Sequence, residues 1–214
     1  SAGGKFRLLY DFNSMKYEPT TVYTNLPSAG AMRAYGCPQI FFALESHIED
    51  IAKEMNMDPI EFRRKNFISE GKVDPHSGIV VRSFGLNECI EKGKQLIKWD
   101  EKLKKYQNQQ GTKRRGLGMA CFSYATGTYP HGFEIGGARI IMNQDGSIQL
   151  QVGATEIGQG SDTVLSQIAA EVLGLPLDMV HIISQQDTDI TPFDLGAYAS
   201  RQTFVSGAAV KKAA

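Results

Sequence analysis

At 214 residues, 42% hydrophobic and 21% charged, the chain can fill one large folded domain or two small ones and has the composition of an ordinary globular protein. Lys plus Arg balances Asp plus Glu at 23 each, so no overall charge draws it to nucleic acid or to an anionic membrane. No run reaches the roughly 18 apolar residues of a membrane helix, and the N-terminus lacks the charged-then-apolar order of a signal peptide, so a cytoplasmic location is expected.

The chain opens on "SAGGKFRLLYDF" without an initiator methionine and closes on the helical "ASRQTFVSGAAVKKAA" with no glycine or proline stop, which reads as an internal segment of a longer protein. The turn-rich "PSAGAMRAYGCPQ" leads through Gly36 and Pro38 into an amphipathic helix. Its spacing predicts Leu44, Ile48, Ile51 and Met55 on the buried face and Glu45, Glu49 and Lys53 on a solvated one. "MDPIEFRRKNF" offers Asp58 as N-cap, Pro59 at the first helical position and Glu61 at the third, the chemistry of a capping box. Residues 69–85 read as a surface connection with one brief strand, and Leu86 to about Gln107 as a lysine-rich helical stretch. Interspersed Glu88, Glu91, Asp100 and Glu101 favour a solvated face there over a basic patch for an acidic partner. "NQQGTKRRG" (108–116) is the candidate linker, dividing a helix-rich part (1–110) from a hairpin-and-helix part (111–214).

Past the linker the hydrophobic period changes to two. "RGLGMACFSYATG" reads as a strand, and "ARIIMNQDGSIQLQV" as a hairpin whose Asp145 and Gly146 supply positive φ. Alternation of Ile148, Leu150 and Val152 buries one face of its second strand. A helix with Leu165, Ile168, Ala169 and Val172 inward follows, capped by Ser161 or Asp162 and stopped by Gly174 and Pro176. "DMVHIIS" is another strand, and a last helix begins near Ser200. The fold class is mixed α and β (α+β).

Cys37, Cys89 and Cys121 are odd in number with no CxxC, so packed thiols are expected rather than a disulfide framework or a cysteine-held cluster. His47, His76, His131 and His181 show no metal-binding spacing, and no metal held by protein side chains is expected. The densest motif is "GATEIGQGSDT" (153–163), a glycine turn opening a helix. It lacks the lysine and hydroxyl of a phosphate loop and is not a dinucleotide fingerprint. Two readings stay open: a turn that lets strand and helix approach, or a helix N-terminus whose N–H groups and Gln159 amide favour an anionic ligand. Two other junctions, "AMRAYGCPQ" and "GAYASRQT", are built alike.

These stretches, with "ALESHIEDIAKEMNMDPIEFRRKN" and "DTDITPFDLGAYASRQT", resemble in order and spacing the molybdenum-cofactor-binding subunit of the xanthine dehydrogenase and aldehyde oxidase family. The resemblance spans nearly the whole chain and is greatest to bacterial members whose molybdenum subunit is a separate chain. It implies molybdopterin with molybdenum, as the mononucleotide form or the cytosine dinucleotide. It also implies iron–sulfur clusters and FAD on partner chains or domains, hence a hetero-oligomer.

The resemblance implies roles for individual residues. Arg33 stands beside the molybdenum centre, and Tyr35 takes the place of an aromatic that sandwiches a flat heterocyclic substrate, its companion coming from near Cys121 or Phe122. Gly158 and Gln159 match a pair whose amide lies near the metal's oxo group and the pterin; Ala199 and Ser200 match small residues touching the cofactor, so that Ala199 also lies near molybdenum; Gln202 and Thr203 add backbone contacts. A glycine-rich FGGK-type loop and a catalytic glutamate of the family are absent from these 214 residues, so no catalytic base is assigned and the segment alone is expected to be inactive. The implied reaction is hydroxylation of hypoxanthine or xanthine with oxygen from water. An aldehyde, a nicotinate-type ring, an aromatic thioester reduced in reverse, and a non-catalytic folded module are the alternatives.

Overall fold

The computed structural model describes residues 7–128, 132–183, 185 and 187–214; His131, Ser184 and the first six residues lie outside them. Contacts divide the chain into two compact units, residues 1–124 and 125–214.

The first unit is helical: α1 (Cys37–Glu54), α2 (Pro59–Asn66), α3 (Leu86–Ile97) and α4 (Trp99–Tyr106). Gly36, in the left-handed region at φ 77°, turns the chain into α1, and Pro38 falls in the first turn, where its missing N–H costs nothing. The buried stripe of α1 is Cys37, Phe41, Glu45, Ile48 and Ala52. It is rotated from the expected face: Glu45 is 4% exposed, whereas Met55 is 57% exposed. Periodicity placed Glu45 in solvent because a carboxylate is normally left there. A buried arginine from α2 and a tyrosine from the N-terminal segment make burial tolerable instead.

Asp58 caps α2 as expected, Oδ1 accepting from the N–H groups of Ile60 at 2.8 Å and Glu61 at 3.0 Å. Glu61 pairs with Arg64 at 2.9 Å. Ahead of α1, residues 9–11 run antiparallel to 66–68 (Asp11 N to Asn66 O 2.9 Å, Ile68 N to Leu9 O 3.1 Å), and the Tyr10 ring stacks on Phe67 at 5.5 Å. The expected brief strand of 69–85 reduces to one bridge, Val73 with Val80. The lysine-rich stretch is two helices, broken where Lys98 takes φ 55°. Cys37 and Cys121 are packed as expected, but Cys89 is exposed on α3. "RGLGMACFSYATG" forms no strand among the described residues. One of its donors, Cys121 N, goes to the Glu45 carboxylate at 2.8 Å instead of a neighbouring strand.

In the second unit β1 (Ala138–Met142) and β2 (Ile148–Val152) form the expected hairpin, and β3 (Val180–Ile183) lies parallel to β2 in the order β1-β2-β3. A parallel neighbour requires a crossover, and α5 (Ser161–Leu173) provides it. Ile148, Leu150 and Val152 are all 0% exposed. In the hairpin turn only Gly146 has positive φ, at 83°. Asp145 contributes through its side chain, accepting from Ser147 N at 2.9 Å and Oγ at 2.7 Å. Gly174 at φ 67° stops α5. Leu165, Ala169 and Ala170 form its inner stripe, whereas Val172 is 43% exposed, because three short strands cover only a narrow face.

A π-helical turn, Gln202–Ser206, precedes α6 (Gly207–Ala213). At the end of β2, a Cβ on Gly153 would lie 2.2 Å from Pro192 O, so only glycine lets the 192–194 segment cross there. That crossing brings Asp194 inward. The described architecture is mixed α and β, as expected.

Candidate functional site

The first junction is a tight turn in which Cys37 N donates to Ala34 O at 2.8 Å. Ala34 holds φ 66°, a left-handed conformation that costs a non-glycine residue about 1–2 kcal/mol. Arg33 lies in this turn and is exposed. Tyr35 is 49% exposed beside it.

The second junction lies between β2 and α5. Gly158 at φ 92° and Gly160 at φ 86° flank Gln159, and Gly160, not Ser161 or Asp162, occupies the N-cap position of α5. A glycine has no side chain to cap with, and a residue further back takes over. The Glu156 carboxylate accepts from Gly158 N at 2.7 Å, Gly160 N at 3.1 Å, Asp162 N at 3.1 Å and Ser161 Oγ at 3.2 Å. Hydrogen bonds from the Asp162 and Gly160 amides, with those from Gly158 and Ser161, hold its pKa down at about 2. The anion favoured by this helix end is thus the chain's own carboxylate.

The third junction is the most strained. Ala199 and Ser200 hold successive left-handed conformations, φ 49° and 53°, immediately before the π-helical turn. Both features cluster at functional sites and persist only where surroundings over-determine them. Arg201 supplies that restraint. Its side chain is fully buried, with Nε on Glu134 Oε2 at 2.7 Å, Nη1 on Asp194 Oδ1 at 2.5 Å and on Gly196 O at 2.9 Å, and Nη2 on Ile135 O. Its guanidinium also lies 5.6 Å from the Tyr198 ring centroid. Asp194 accepts from Ser206 Oγ at 2.7 Å, tying the far end of the π turn to the same carboxylate. The Arg201 guanidinium, with the Thr128 donors, holds the Glu134 carboxyl below its ordinary range.

The structure joins the second and third junctions. The Gln159 amide donates to Gln202 Oε1, and both amides donate to Thr155 O, at 3.0 Å from Gln159 and 2.9 Å from Gln202. These contacts bring Gln159 and Gln202 side by side in the second unit, with Gly158, Ala199 and Ser200 close to them in the chain, while Arg33 and Tyr35 belong to the first unit. Sequence reasoning missed Arg201, which sits inside "ASRQT", and missed the capping role of Glu156. The signal for Glu156 was a carboxylate preceding two glycines and a helix with no capping residue between them.

Both parts of the chain match models described as "Molybdopterin cofactor-binding domain", over residues 1–67 and 92–214, and the chain belongs to this family of molybdopterin cofactor-binding domains. Within it, the chain is 54% identical over its whole length to the xanthine dehydrogenase molybdenum-binding subunit of Escherichia coli O157:H7, of which it spans 29%. It is 27% identical to the nicotine 6-hydroxylase large subunit of Paenarthrobacter nicotinovorans, over 96% of this chain and 26% of that one. Among solved structures, CO dehydrogenase from Oligotropha carboxidovorans superposes with a TM-score of 0.72 at 26% identity, over 89% of this chain and 26% of that one. The chain thus spans under a third of the length of these relatives.

The residues of the second unit suit such a cofactor. Three of its carboxylates are committed internally, Glu134 and Asp194 to Arg201 and Glu156 to α5, while Asp162 Oδ1 is buried without a hydrogen-bond partner. Beside them the Gln159 and Gln202 amides bond each other and Thr155 O, and the backbone of Gly158, Ala199 and Ser200 adds neutral polar groups. That donor set fits an organic heterocycle carrying its own metal.

Proposed function

We propose that this chain forms part of the cofactor cradle of a molybdenum hydroxylase of xanthine dehydrogenase type, acting on hypoxanthine or xanthine. The observation that carries the reading is the 54% identity along the entire chain to a xanthine dehydrogenase molybdenum-binding subunit. Bound molybdopterin would supply the redox centre for hydroxylation with water-derived oxygen. The chain's own residues bind and orient. Gln159 and Gln202 offer amides to the pterin side, Ala199, Ser200, Thr203 and Gly158 offer backbone, Arg33 sets positive charge near the metal, and Tyr35 offers a ring face to a flat substrate. The cytosine dinucleotide form of the pterin, iron–sulfur and FAD subunits in a hetero-oligomer, and a cytoplasmic location belong to the same proposal. No helix among the described residues is long and apolar enough to cross a membrane.

A second substrate class, another aromatic heterocycle, is favoured by the likeness to a nicotine hydroxylase subunit. Metal and pterin analysis of the full protein, followed by assays on xanthine, hypoxanthine and nicotine with an artificial electron acceptor, separates the readings. Stoichiometric molybdenum and pterin with purine turnover is expected; a metal-free, pterin-free protein would refute the proposal. Gln159→Ala should lower turnover of the loaded protein by about one to three orders of magnitude, the scale of losing one preorganised donor. Unchanged turnover in that variant would remove Gln159 from the site.

A further inference from the structure

The glycine turn before α5 presents a contradiction that the family match does not resolve. A helix N-terminus reached through glycines is where a ligand's phosphate would be drawn, yet the chain's own carboxylate already holds the Asp162 amide of that end and the two glycine amides ahead of it. Glu156 accepts from Gly158 N, Gly160 N, Asp162 N and Ser161 Oγ at 2.7–3.2 Å. The two amides it binds first lie on either side of Gln159, at the left-handed glycines that would otherwise leave Gln159 on a backbone with many conformations. The Gln159 side chain is in turn fixed by Ile157 N on its Oε1 at 2.7 Å and by Thr155 O at 3.0 Å. A single carboxylate therefore sets the backbone from which the Gln159 amide projects.

We propose that Glu156 is the positioning residue of Gln159: a built-in anion that occupies the N-terminus of α5, freezes the Gly158–Gln159–Gly160 backbone and excludes the cofactor's own phosphate from that helix end. The contact this loop makes with a bound cofactor is then confined to the neutral Gln159 amide, and the anionic part of the cofactor is directed elsewhere. The inference rests on the proposed molybdopterin function for its ligand, but not for the role of the carboxylate itself.

The full protein is compared as wild type, Glu156→Ala and Glu156→Gln, with pterin content, thermal midpoint of cofactor-stripped protein, and the effect of formate as readouts. Formate is a carboxylate small enough to take the vacated place. Glu156→Ala should lose about tenfold in pterin content, the scale of one charge-assisted hydrogen bond. Formate should restore both its midpoint and its pterin content while leaving the wild type unchanged. Glu156→Gln, isosteric but able to accept at only one of its two terminal atoms, should stay folded with a smaller fall in midpoint than Glu156→Ala and still hold less pterin than the wild type. Wild-type pterin content in Glu156→Ala, or a formate effect that is absent or equal in the wild type, would overturn the proposal. If Glu156→Ala does not fold, undiminished pterin in Glu156→Gln would do so. A wild-type protein without pterin would instead refute the molybdopterin reading, and the formate response of the stripped protein would still decide the role of Glu156.

Discussion

Each unit of this chain buries one arginine completely, Arg63 in the first and Arg201 in the second, and each arginine meets two carboxylates. They do different work. Arg63, on α2, bonds Glu45 Oε2 at 2.8 Å and Glu49 Oε1 at 2.7 Å on α1, so it cross-links two regular helices that also share apolar contacts. Arg201 cross-links irregular backbone: the 134–135 segment, Asp194, Gly196 and the strained pair that precedes it. One network reinforces a packing that side chains already favour. The other holds a conformation that local sterics oppose, at Ala199 and Ser200, which are proposed to touch the cofactor. A buried ion pair is weak evidence for stability but good evidence for a specified geometry, and the second use here illustrates the latter.

Removing each arginine tests that contrast. Arg201→Ala leaves Glu134 and Asp194 without their cation, and Asp194 has a fully buried side chain with no route to water. A loss of about 3–5 kcal/mol is expected, read as a lowered urea midpoint, together with release of the Ala199–Ser200 backbone, read as faster amide exchange there. Arg63→Ala should cost less, at the lower end of that about 3–5 kcal/mol range, because the Glu49 side chain is 44% exposed and can turn to solvent. A larger loss for Arg63 than for Arg201 would reverse the comparison.

Smaller changes sharpen it. Tyr10 donates its hydroxyl to Glu45 Oε1 at 2.5 Å, and burial followed by that bond raises its pKa. Tyr10→Phe should cost about 1 kcal/mol, since Glu45 keeps Arg63 and the Cys121 amide; a cost near zero would make the hydroxyl incidental. The least expected effect lies on the acid limb. Glu156 is held at about 2, from an ordinary 4.5, by the Asp162 and Gly160 amides, with further donors behind them. A depressed carboxylate stabilises fully above its unfolded pKa, and that contribution drains as pH falls through the folded one. Between about pH 5 and about pH 2 the wild type should therefore lose stability more steeply than Glu156→Gln. Parallel acid profiles would show that Glu156 does not report on folding.

The sequence revealed elements whose cause is local. Asp58 with Pro59, Gly174 with Pro176, and the alternation of Ile148, Leu150 and Val152 each carry their own geometry, and each holds in the structure. What it hid depends on partners distant in the chain. Glu45 looks solvated until Arg63, Tyr10 and Cys121 N are brought to it, and those last two lie 35 and 76 residues away. Arg201 reads as one more polar residue until Glu134, 67 positions back, closes on it. Val172 fits the helical period but falls beyond the reach of a three-stranded sheet. For the candidate site, motif resemblance pointed to Gln159, Ala199 and Ser200. The bond from Gln159 to Gln202 depends on tertiary placement across 43 residues.

The turn from Gln202 to Ser206 carries one residue more than an α-helix would need, since Gly207 N reaches back five positions to Gln202 O. Such a surplus can be edited. Deleting Phe204, whose side chain is 67% exposed, would let the chain wind continuously into α6, and each residue in an α-helix advances about 100° around the axis. The helix would be the more regular for it, while Gln202 would swing away from Gln159 by about that angle. Loss of one codon would thus straighten the helix and at the same stroke dismantle the amide pair between Gln159 and Gln202.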